Sequence, residues 1–505
     1  MKKIKSLFQK ENTIYYILFG ALLMWISFLC IYKLGIKYVD PWDEARHGVN
    51  AYEMLHGKHL WVNTYLYETD LYNLKPPLSM WCQAFSFLIL GSNTVSLRLY
   101  SALCYILLCV ICGTFVWRHH GKLAAVIVLG LLSANTTPFA AHMIRSGDAD
   151  SLYVLLFTLA MIFMLKIQEK MSNLYLCGLF FAFAFLTKSY HAGIIAVIGF
   201  VYLVATGLIK KMKLMDWVKF LIAILLPILI WAVPRFFVDG ITFFREMILT
   251  DVLGRTDGTL NNNKQPFGWY ASYYLGTMSG KLTIYLWALM VDIAAVFGFS
   301  IGMNKEKWEK QKHFWIGYGL WILVPFLAFS GVTNKLLWYV YPVSIPLFIL
   351  CAVGLSKLMT HKALPKCMSC LALILCCITI FIYTKDVYQT IQTQTTQYLN
   401  EFQCLLKDTG KEFAKQKDAK RKIYVEYAAD EAGNIETKWA GQDVFVAEAY
   451  GDFYCVNGGF EAMIADKDSG KLVIVSKSEQ EKVLNQDKDL VPISSSENYV
   501  VILLK

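Results

Sequence analysis

Apolar windows long enough to cross a lipid bilayer recur along most of this chain. A spanning helix needs about 20 mostly apolar residues, because the hydrocarbon core of a bilayer is roughly 30 Å thick. Hydrophobic residues occupy 56% of the 505 positions, which is too apolar for an ordinary soluble protein. The sequence therefore predicts a polytopic α-helical membrane protein with about eleven spans, near residues 13–33, 95–117, 122–140, 151–166, 174–187, 191–209, 217–237, 280–301, 313–330, 336–356 and 366–384.

Lysine and arginine residues predict the orientation of these spans. Lys2, Lys3, Lys5 and Lys10 precede the first span, which places the N-terminus in the cytoplasm, and the short basic loops fall on the same side when the spans alternate. No small-residue cleavage site follows, so we interpret the first span as a retained anchor. The net charge of +10 is then mainly a topology signal, and no nucleic-acid partner is expected. The segments predicted on the extracytoplasmic face are 34–77, 141–150, 238–279, 331–335 and the chain beyond about 385.

The first of these outer loops, residues 34–77, concentrates acidic and basic side chains at the bilayer surface. Asp43 and Glu44 follow the first span closely, Arg46 comes next, and Lys75 precedes two prolines where the chain returns to the membrane. A short apolar segment at 78–91 then predicts a helix that lies at the interface or is half inserted into the bilayer. A solvated connector is the plain alternative, but this crowding suits a reaction on a charged, lipid-linked substrate.

A second polar cluster, HMIRSGDAD, lies between two predicted spans and contains Arg145, Asp148 and Asp150. Ionised side chains at membrane depth cost roughly 2.5–3.5 kcal/mol each, so they are usually functional, paired or at the water boundary. One interpretation is an acidic wall that faces Asp43 and Glu44. The other is an ordinary loop in which Arg145 pairs with an aspartate.

Two further sites carry cations close to aromatic or proline residues. Lys188 interrupts an apolar stretch in FLTKSYHAG, which is either a simple turn or a phosphate-binding turn. Lys335 begins the segment KLLWYVYPVSIPL, in which Tyr339 and Tyr341 precede two prolines. Prolines leave helix carbonyls unpaired, so this segment predicts either a kinked helix or one wall of a groove for a lipid chain.

The remaining outer segments predict accessory structure. FFREMILTDVLGR has apolar positions at helical spacing and predicts a helix on the membrane surface, and TDGTLNNNK after it predicts a flexible lid. Beyond residue 385, DVYQTIQTQTTQYLNEFQCLLKDTGKEFAKQ predicts an amphipathic helix, and RKIYVEYA, DVFVAEAY, KLVIVSKS and YVVILLK predict strands. We therefore expect a membrane domain at 1–384 and a small extracytoplasmic α/β domain at 385–505, where Cys404 and Cys455 are candidates for a disulfide.

Taken together, these motifs resemble the GT-C class of membrane glycosyltransferases. The resemblance is to bacterial relatives of the dolichyl-phosphate-mannose-protein mannosyltransferases and of the lipid A aminoarabinose transferase. It covers roughly residues 1–360 and implies a GT-C fold with about 11–13 transmembrane helices. It depends on DEAR at 43–46, KPPLSMW at 75–81, RSGDADSLYVLLF at 145–157, FLTK at 185–188 and NKLLWYVYPVSIPL at 334–347.

The resemblance also implies roles for individual residues. Asp43 matches the aspartate next to the reacting sugar, and Glu44 matches its acidic neighbour. Basic residues at the positions of Arg46 and Lys75 hold the polyprenyl phosphate of the donor. The acid of the second outer loop corresponds to Asp148 or Asp150, and either is a candidate.

The donor site in such enzymes is lined at the positions of Lys188 and of Tyr339 or Tyr341, and Arg145 and Lys335 are further substrate-binding candidates. Leu74 stands where aminoarabinose transferases carry a glutamate linked to a metal site, so the sequence leaves open whether a divalent cation is bound. Ser189 stands where glycine is common.

The predicted function is sugar transfer from a polyprenyl (undecaprenyl) phosphate donor to a hydroxyl acceptor at the outer face of the cell membrane. An aspartate acts as general base and the anomeric carbon is inverted. The acceptor is a protein, a glycan or a glycolipid. The main alternative is a transporter or flippase for a lipid-linked or anionic solute, and a GT-C polymerase or ligase is another. Charges gathered at loop edges rather than in the middles of the spans favour surface chemistry.

Overall fold

The computed structural model describes most of the chain, in several ranges. Described are residues 2–57, 59–254, 264–276, 305–360, 366–395, 398–413, 421–466 and 470–505. The span predicted at 280–301 and nearly all of the predicted TDGTLNNNK lid lie outside these residues.

Within the described ranges, seven helical segments are long and apolar enough to cross a membrane. Three further apolar helices, Leu78–Leu90, Lys122–Ser133 and Asp150–Leu165, are shorter, and the last two lie in predicted spans. The chain is therefore a multi-pass helical membrane protein. The seven long segments are Thr13–Ile31, Thr94–His120, Ser172–Ala205, Leu214–Asp239, Lys312–Gly331, Leu337–Thr360 and Ser369–Gln394.

The membrane part is built from α-helices, with a small hairpin of β1 (Thr64–Tyr65) and β2 (Glu68–Thr69) in the first outer loop. 3₁₀ turns occupy Ser189–Ala192, Leu208–Lys211 and Leu337–Val340, and a π-helical turn occupies Leu249–Gly254. The helices are α1 Lys2–Ile31, α2 Asp43–Gly57, α3 Leu78–Leu90, α4 Thr94–His120, α5 Lys122–Ser133, α6 Thr136–Ala140, α7 Asp150–Leu165, α8 Ser172–Lys188, α9 Gly193–Ala205, α10 Leu214–Asp239, α11 Thr242–Ile248, α12 Trp269–Gly276, α13 Lys305–Gly331, α14 Tyr341–Thr360 and α15 Lys366–Gln394.

Local sequence signals explain several helix boundaries. The Asn93 side chain accepts hydrogen bonds from the backbone N–H groups of Val95 and Ser96, and the Ser96 hydroxyl accepts one from Asn93, which is a capping box at the start of α4. Gly121 has a φ of 103°, so α4 and α5 are joined through a single residue. In the segment that contains the two prolines, a 3₁₀ turn at Leu337–Val340 precedes α14, and Pro346 lies inside this helix.

The C-terminal unit is a five-stranded mixed sheet with helices packed against it. The strand order is β4-β3-β5-β7-β6; β3 is parallel to β4 and β5, whereas β7 is antiparallel to β5 and β6. Its elements are α16 Glu401–Phe413, β3 Lys422–Val425, α17 Gly441–Gly451, β4 Tyr454–Val456, α18 Gly459–Ala465, β5 Lys471–Ser476, α19 Gln480–Leu484, β6 Leu490–Ser495 and β7 Tyr499–Leu504.

Two predictions for this unit are wrong in detail. DVFVAEAY lies in helix α17 rather than in a strand, and its residues from Val444 to Ala447 are all buried. Short apolar runs buried on every side do not distinguish a strand from a helix by periodicity. The single helix predicted after residue 385 is instead the end of α15 followed by α16, which begins where the Asn400 side chain accepts from the backbone N–H of Gln403. Cys404 is exposed and Cys455 is buried, and the two do not form the candidate disulfide.

The C-terminal unit packs on the first outer loop through a shared apolar core. Val49 and Tyr52 of α2 lie in one cluster with Phe445 of α17. A Cβ atom at Gly48 would lie 2.7 Å from Cδ2 of Phe445, so this contact requires a glycine. Helix α2, which carries Asp43 in its first turn, is therefore held in place by the C-terminal unit.

The same interface buries a pair of carboxyl groups. Glu53 of α2 and Glu448 of α17 are both fully buried and lie next to each other. The Tyr52 hydroxyl donates to Asp452 Oδ1 at 2.6 Å beside them. A carboxyl group that loses its contacts with water favours its neutral, protonated form. Burial accordingly raises the pKa of Glu53 from 4.5 to about 7.

We expect the stability of the purified protein to fall more steeply between pH 5 and pH 8 than that of Glu53→Gln. Glu53 keeps its proton in the folded state up to about pH 7, whereas the unfolded chain releases it near its ordinary value. Stability contributed by this proton is complete at low pH and is lost as pH rises through the folded pKa. Glutamine needs no proton, so it should remove a pH-dependent loss on the order of 3 kcal/mol. Thermal unfolding in detergent at several pH values measures this, with the exposed Glu68→Gln as control; equal slopes for wild type and Glu53→Gln would contradict it.

Candidate active site

Four segments of the chain converge on a small polar cavity of about 30 Å³. Asp43 enters it from the first turn of α2, Lys75 from the residues before α3, and Lys188 from the end of α8. Its full lining is Asp43, Lys75, Lys188, Ser189, His191, Leu336, Trp338 and Tyr339. Four separate sequence motifs thus contribute to one site.

Asp43 and Lys75 face each other across this cavity. Lys75 Nζ lies 3.6 Å from Asp43 Oδ2, and the Asp43 side chain is 40% exposed. Loss of water contacts by itself raises the pKa of the Asp43 carboxyl, but nearby positive charges, above all that of Lys75 and also that of His142, outweigh this and lower the pKa below its ordinary value. Asp43 is therefore an ionised carboxylate at neutral pH, available as a proton acceptor.

Asp148 and His142 form a second charged pair beside Asp43. Asp148 Oδ2 lies 3.0 Å from His142 Nδ1 and accepts a hydrogen bond from the Ser146 hydroxyl at 2.5 Å. Burial alone lowers the pKa of His142, but the adjacent Asp148 carboxylate raises it to about 9. The imidazole stacks on the Trp338 ring with centroids 3.7 Å apart, which links this pair to the cavity wall.

Asp43, His142 and Asp148 present one ligand atom each within 4.8 Å of one another. Asp148 Oδ1 is buried and, among the described residues, accepts no hydrogen bond. Two carboxylate oxygens and an imidazole nitrogen suit Zn²⁺, Mn²⁺ or a similar divalent cation. The cluster has the chemistry of a partial metal site.

Lys188 is held in place by Asp150 rather than by Asp43. The ammonium forms a buried ion pair with Asp150 Oδ1, and its Nζ lies 5.7 Å from the ring centroids of Tyr153 and Tyr339. The two aspartates of the second outer loop therefore have different positions: Asp148 adjoins Asp43, and Asp150 orients a cation that lines the cavity.

Glu44, although adjacent to Asp43, points away from the cavity. It is 1% exposed, and its two oxygens accept hydrogen bonds from Arg98 Nε at 2.7 Å and Nη2 at 2.9 Å. The backbone N–H of Gly147 also donates to Glu44 Oε1 at 2.8 Å. Glu44 was a candidate catalytic acid, but its acceptor sites are used to join α2, α4 and the loop of Asp148.

Arg46 and Arg145 also lie apart from the cavity lining. Arg46 forms a two-point ion pair with Asp70, with both distances 2.8 Å, and its guanidinium lies between the rings of Tyr65 and Tyr72. Arg145 donates to the carbonyls of Leu29, Cys30 and Lys33 and so caps the end of α1. The predicted phosphate contact of Arg46 and substrate contact of Arg145 therefore require them to leave these partners.

Lys335 and Tyr341, two other candidates, do not line the cavity but contact the segments around it. Lys335 donates to the backbone carbonyls of Gln265 and Val332. The Tyr341 hydroxyl donates to Ala141 O at 2.9 Å and thereby holds the loop of His142 against α14. Of the two tyrosine candidates, Tyr339 lines the cavity and Tyr341 does not.

Sequence reasoning missed two residues of this region. His47 is buried against Gly147 O, and its Nε2 has no hydrogen-bond partner among the described residues. Burial lowers the pKa of His47 to about 4, so it is neutral at pH 7. Arg98 is fully buried within an apolar helix, and a single arginine in a predicted span is a signal that such a partner exists.

Three residues at the site have backbone conformations that favour glycine. The φ angles of Trp42, His142 and Ser189 are 75°, 55° and 45°. Each stands next to or among the charged residues: Trp42 before Asp43, Ser189 after Lys188. Such strain persists only where the surrounding structure enforces it, and it often accompanies function.

Comparison with known proteins finds similar sequences and similar folds. A family model described as "Dolichyl-phosphate-mannose-protein mannosyltransferase" matches residues 74–231. The chain is 25% identical over 360 residues to the undecaprenyl phosphate-alpha-4-amino-4-deoxy-L-arabinose arabinosyl transferase of Shewanella sediminis (strain HAW-EB3). This match covers 68% of this chain and 61% of that protein. It is also 25% identical over 341 residues to the corresponding arabinosyl transferase 2 of Pseudomonas fluorescens (strain Pf0-1). This second match covers 65% of this chain and 58% of that protein.

The decisive comparison is structural. ArnT from Cupriavidus metallidurans, solved bound to undecaprenyl phosphate, is similar to this chain with a TM-score of 0.68 and 15% sequence identity, over 98% of both chains. The chain has the GT-C fold. This confirms the fold predicted from the motifs, with the small C-terminal sheet unit included. The GT-C core carries Lys75 and Lys188 inside the segment 74–231 and Asp43 before it.

Replacing Arg98 should destabilise the GT-C core far more than replacing an exposed arginine of the same helix. Arg98→Met leaves the buried Glu44 carboxylate without its cation, a defect that typically costs about 3–5 kcal/mol. The double variant Glu44→Gln/Arg98→Met removes the uncompensated charge and should recover much of the loss. Thermal unfolding in detergent measures this, with exposed Arg118→Met as matched control. Equal losses in Arg98→Met and Arg118→Met would contradict the assignment.

Proposed function

We propose that this protein transfers a sugar from a polyprenyl-phosphate donor to a hydroxyl group of an acceptor. The observation that carries the proposal is the cavity that combines an ionised carboxylate, Asp43, with two lysines, Lys75 and Lys188. The names of the curated relatives and of the bound ArnT structure support undecaprenyl phosphate as the lipid carrier. Because the chain spans 61% and 58% of the curated relatives' lengths, the sugar and acceptor named for them are not transferred to it.

In the proposed reaction, the acceptor oxygen attacks the anomeric carbon of the donor sugar. The bond between that carbon and the phosphate oxygen breaks, and its electron pair stays on the lipid phosphate. Asp43 accepts the proton of the acceptor hydroxyl, a contribution typically of about 10²–10⁴-fold in rate. Direct attack at one carbon inverts its configuration.

Lys75 and Lys188 would stabilise the charge that grows on the departing phosphate. Lys75 Nζ lies 3.6 Å from Asp43 Oδ2. A donor phosphate competes for this ammonium, which weakens its hold on Asp43 and makes the carboxylate a stronger base. The Lys75 ammonium would thus both bind the donor phosphate and control the basicity of Asp43.

We also propose that Asp43, His142 and Asp148 hold a divalent cation. Their mutual spacing and the unsatisfied Asp148 Oδ1 support this assignment. A bound cation would supply electrostatic stabilisation of the phosphate. Asp43 has two carboxylate oxygens, so one can bind the cation while the other accepts the proton.

The site is proposed to face the extracytoplasmic side. Helix α9 leads from the cavity to the basic turn Leu208–Lys211, and α14 leads from the cavity to Lys357 near its other end. The positive-inside rule places such basic helix ends in the cytoplasm, so the cavity lies at the opposite side of the membrane. The donor then reaches the site from the outer leaflet. In this orientation the C-terminal α/β unit is also extracytoplasmic.

Asp43→Asn should lower the rate of sugar transfer by about 10²–10⁴-fold while the protein still inserts and folds. Purified protein is incubated with undecaprenyl-phosphate sugar and a hydroxyl acceptor, and release of free undecaprenyl phosphate is measured. Asp40→Asn is the matched control, since Asp40 is in the same loop but pairs with Lys37. Transfer by Asp43→Asn at the wild-type rate would refute the base assignment. A wild-type protein that moves the intact donor across vesicle membranes without releasing lipid phosphate would be a flippase instead.

Asp148→Asn and His142→Gln should each weaken binding of Mn²⁺ at least tenfold, because each removes one of three ligands. Electron paramagnetic resonance of free and bound Mn²⁺ reads this out without an activity assay. Glu68→Gln, an exposed change in the same outer region, should bind normally. Mn²⁺ binding that neither variant weakens would place the cation elsewhere.

A further inference from the structure

A second cavity, of about 590 Å³, lies between α1, α5 and α15. None of its lining residues belongs to the polar cavity of Asp43. Its walls are almost wholly apolar, and its volume is in the range of ordinary ligand sites. The lining comprises Tyr15, Leu18, Leu22, Trp25, Leu123, Val126, Ile127, Gly130, Ser133, Leu373, Cys376, Cys377, Ile380, Phe381, Thr384, Lys385 and Tyr388.

The shape of this groove suits a single lipid chain. Along α15 it runs from Leu373 to Tyr388, which is roughly 22 Å at the rise of an α-helix. That length exceeds the roughly 15 Å depth of one leaflet and is shorter than the full hydrocarbon core. Leu18 and Phe381 at its rim are 42% and 72% exposed, so the groove opens towards the bilayer.

One end of the groove is polar and positively charged. Lys385 lies there with Tyr388, next to Thr384, whose hydroxyl is hydrogen-bonded to that of Ser133 at 3.1 Å. Lys385 is exposed, and no carboxylate of the described chain lies within 4.0 Å of its ammonium. A cation at the mouth of an apolar groove complements a lipid with a negatively charged head group.

We propose that this groove binds one anionic glycerophospholipid, with an acyl chain along α15 and the phosphate at Lys385. The donor lipid is a less suitable occupant, because its phosphate has to reach Lys75 and Lys188 in the other cavity. The bound phospholipid would fill the space between α15 and the first helices. α15 in turn contacts the loop of the active site, where Gln394 Nε2 donates to Ala140 O at 2.8 Å. The site therefore stabilises the frame of the enzyme without taking part in the reaction.

Native mass spectrometry tests the proposal on the full chain in detergent. The probes are palmitoyl-oleoyl phosphatidylglycerol, palmitoyl-oleoyl phosphatidylcholine and undecaprenyl phosphate, each added alone and in competition. We expect one phosphatidylglycerol to be retained at least tenfold more tightly than phosphatidylcholine. Lys385→Gln should abolish this preference, whereas Lys366→Gln, at the other end of the same helix, should keep it.

A second variant tests the groove itself. Leu22→Trp fills part of it from α1 and should reduce retention of phosphatidylglycerol even though Lys385 is intact. Equal retention of the two phospholipids, or unchanged preference in both Lys385→Gln and Leu22→Trp, would overturn the proposal. Displacement of phosphatidylglycerol by equimolar undecaprenyl phosphate would also overturn it, in favour of a holding site for the carrier lipid. Thermal unfolding of the same samples gives an independent readout, because a lipid that binds the folded protein raises its melting temperature.

Discussion

The buried ion pair between Glu44 and Arg98 is the interaction on which the active-site geometry depends. Arg98 uses its remaining donors on the carbonyls of Leu34, Lys37 and Tyr38, so the guanidinium also fixes the segment between the first helix and α2. Buried ion pairs need additional hydrogen bonds to offset the loss of hydration. Here those bonds come from backbone groups that border the site, so the same contacts that satisfy the charges also position the site.

This arrangement explains how Asp43 is held without being blocked. Glu44 is its neighbour on the first turn of α2, and Gly147, bonded to Glu44, is next to Asp148. Fixing Glu44 therefore sets the positions of two catalytic candidates at once, while Asp43 itself keeps an exposed carboxylate. The C-terminal unit completes the restraint by packing along α2, where Gly48 allows Phe445 to approach.

The sequence was sufficient to predict the membrane class, the GT-C fold and the motifs whose members meet at the cavity. Asp43, Lys75, Lys188 and Tyr339 belong to different motifs, and the structure brings them together. The partners of the charged residues were not predictable. Asp70, which holds Arg46, is 24 residues away, and Arg98, which holds Glu44, is 54 residues away. Residue type shows that a buried charge needs a partner, but only tertiary packing selects which one. For the same reason α17, buried between the sheet and α2, was mistaken for a strand.

The charge balance of the site supports the proposed cation. Asp43, Asp148 and Asp150 carry three negative charges, and Lys75, Lys188 and protonated His142 carry three positive ones, so the site has no net charge to attract a donor phosphate. Histidine binds a metal only as the neutral imidazole. Exchange of the His142 proton for a divalent cation would therefore leave the site with one net positive charge. A polyprenyl-phosphate sugar is a phosphodiester with one negative charge, which this excess would neutralise. In our proposal, the cation thus matches the charge of the site to that of the donor.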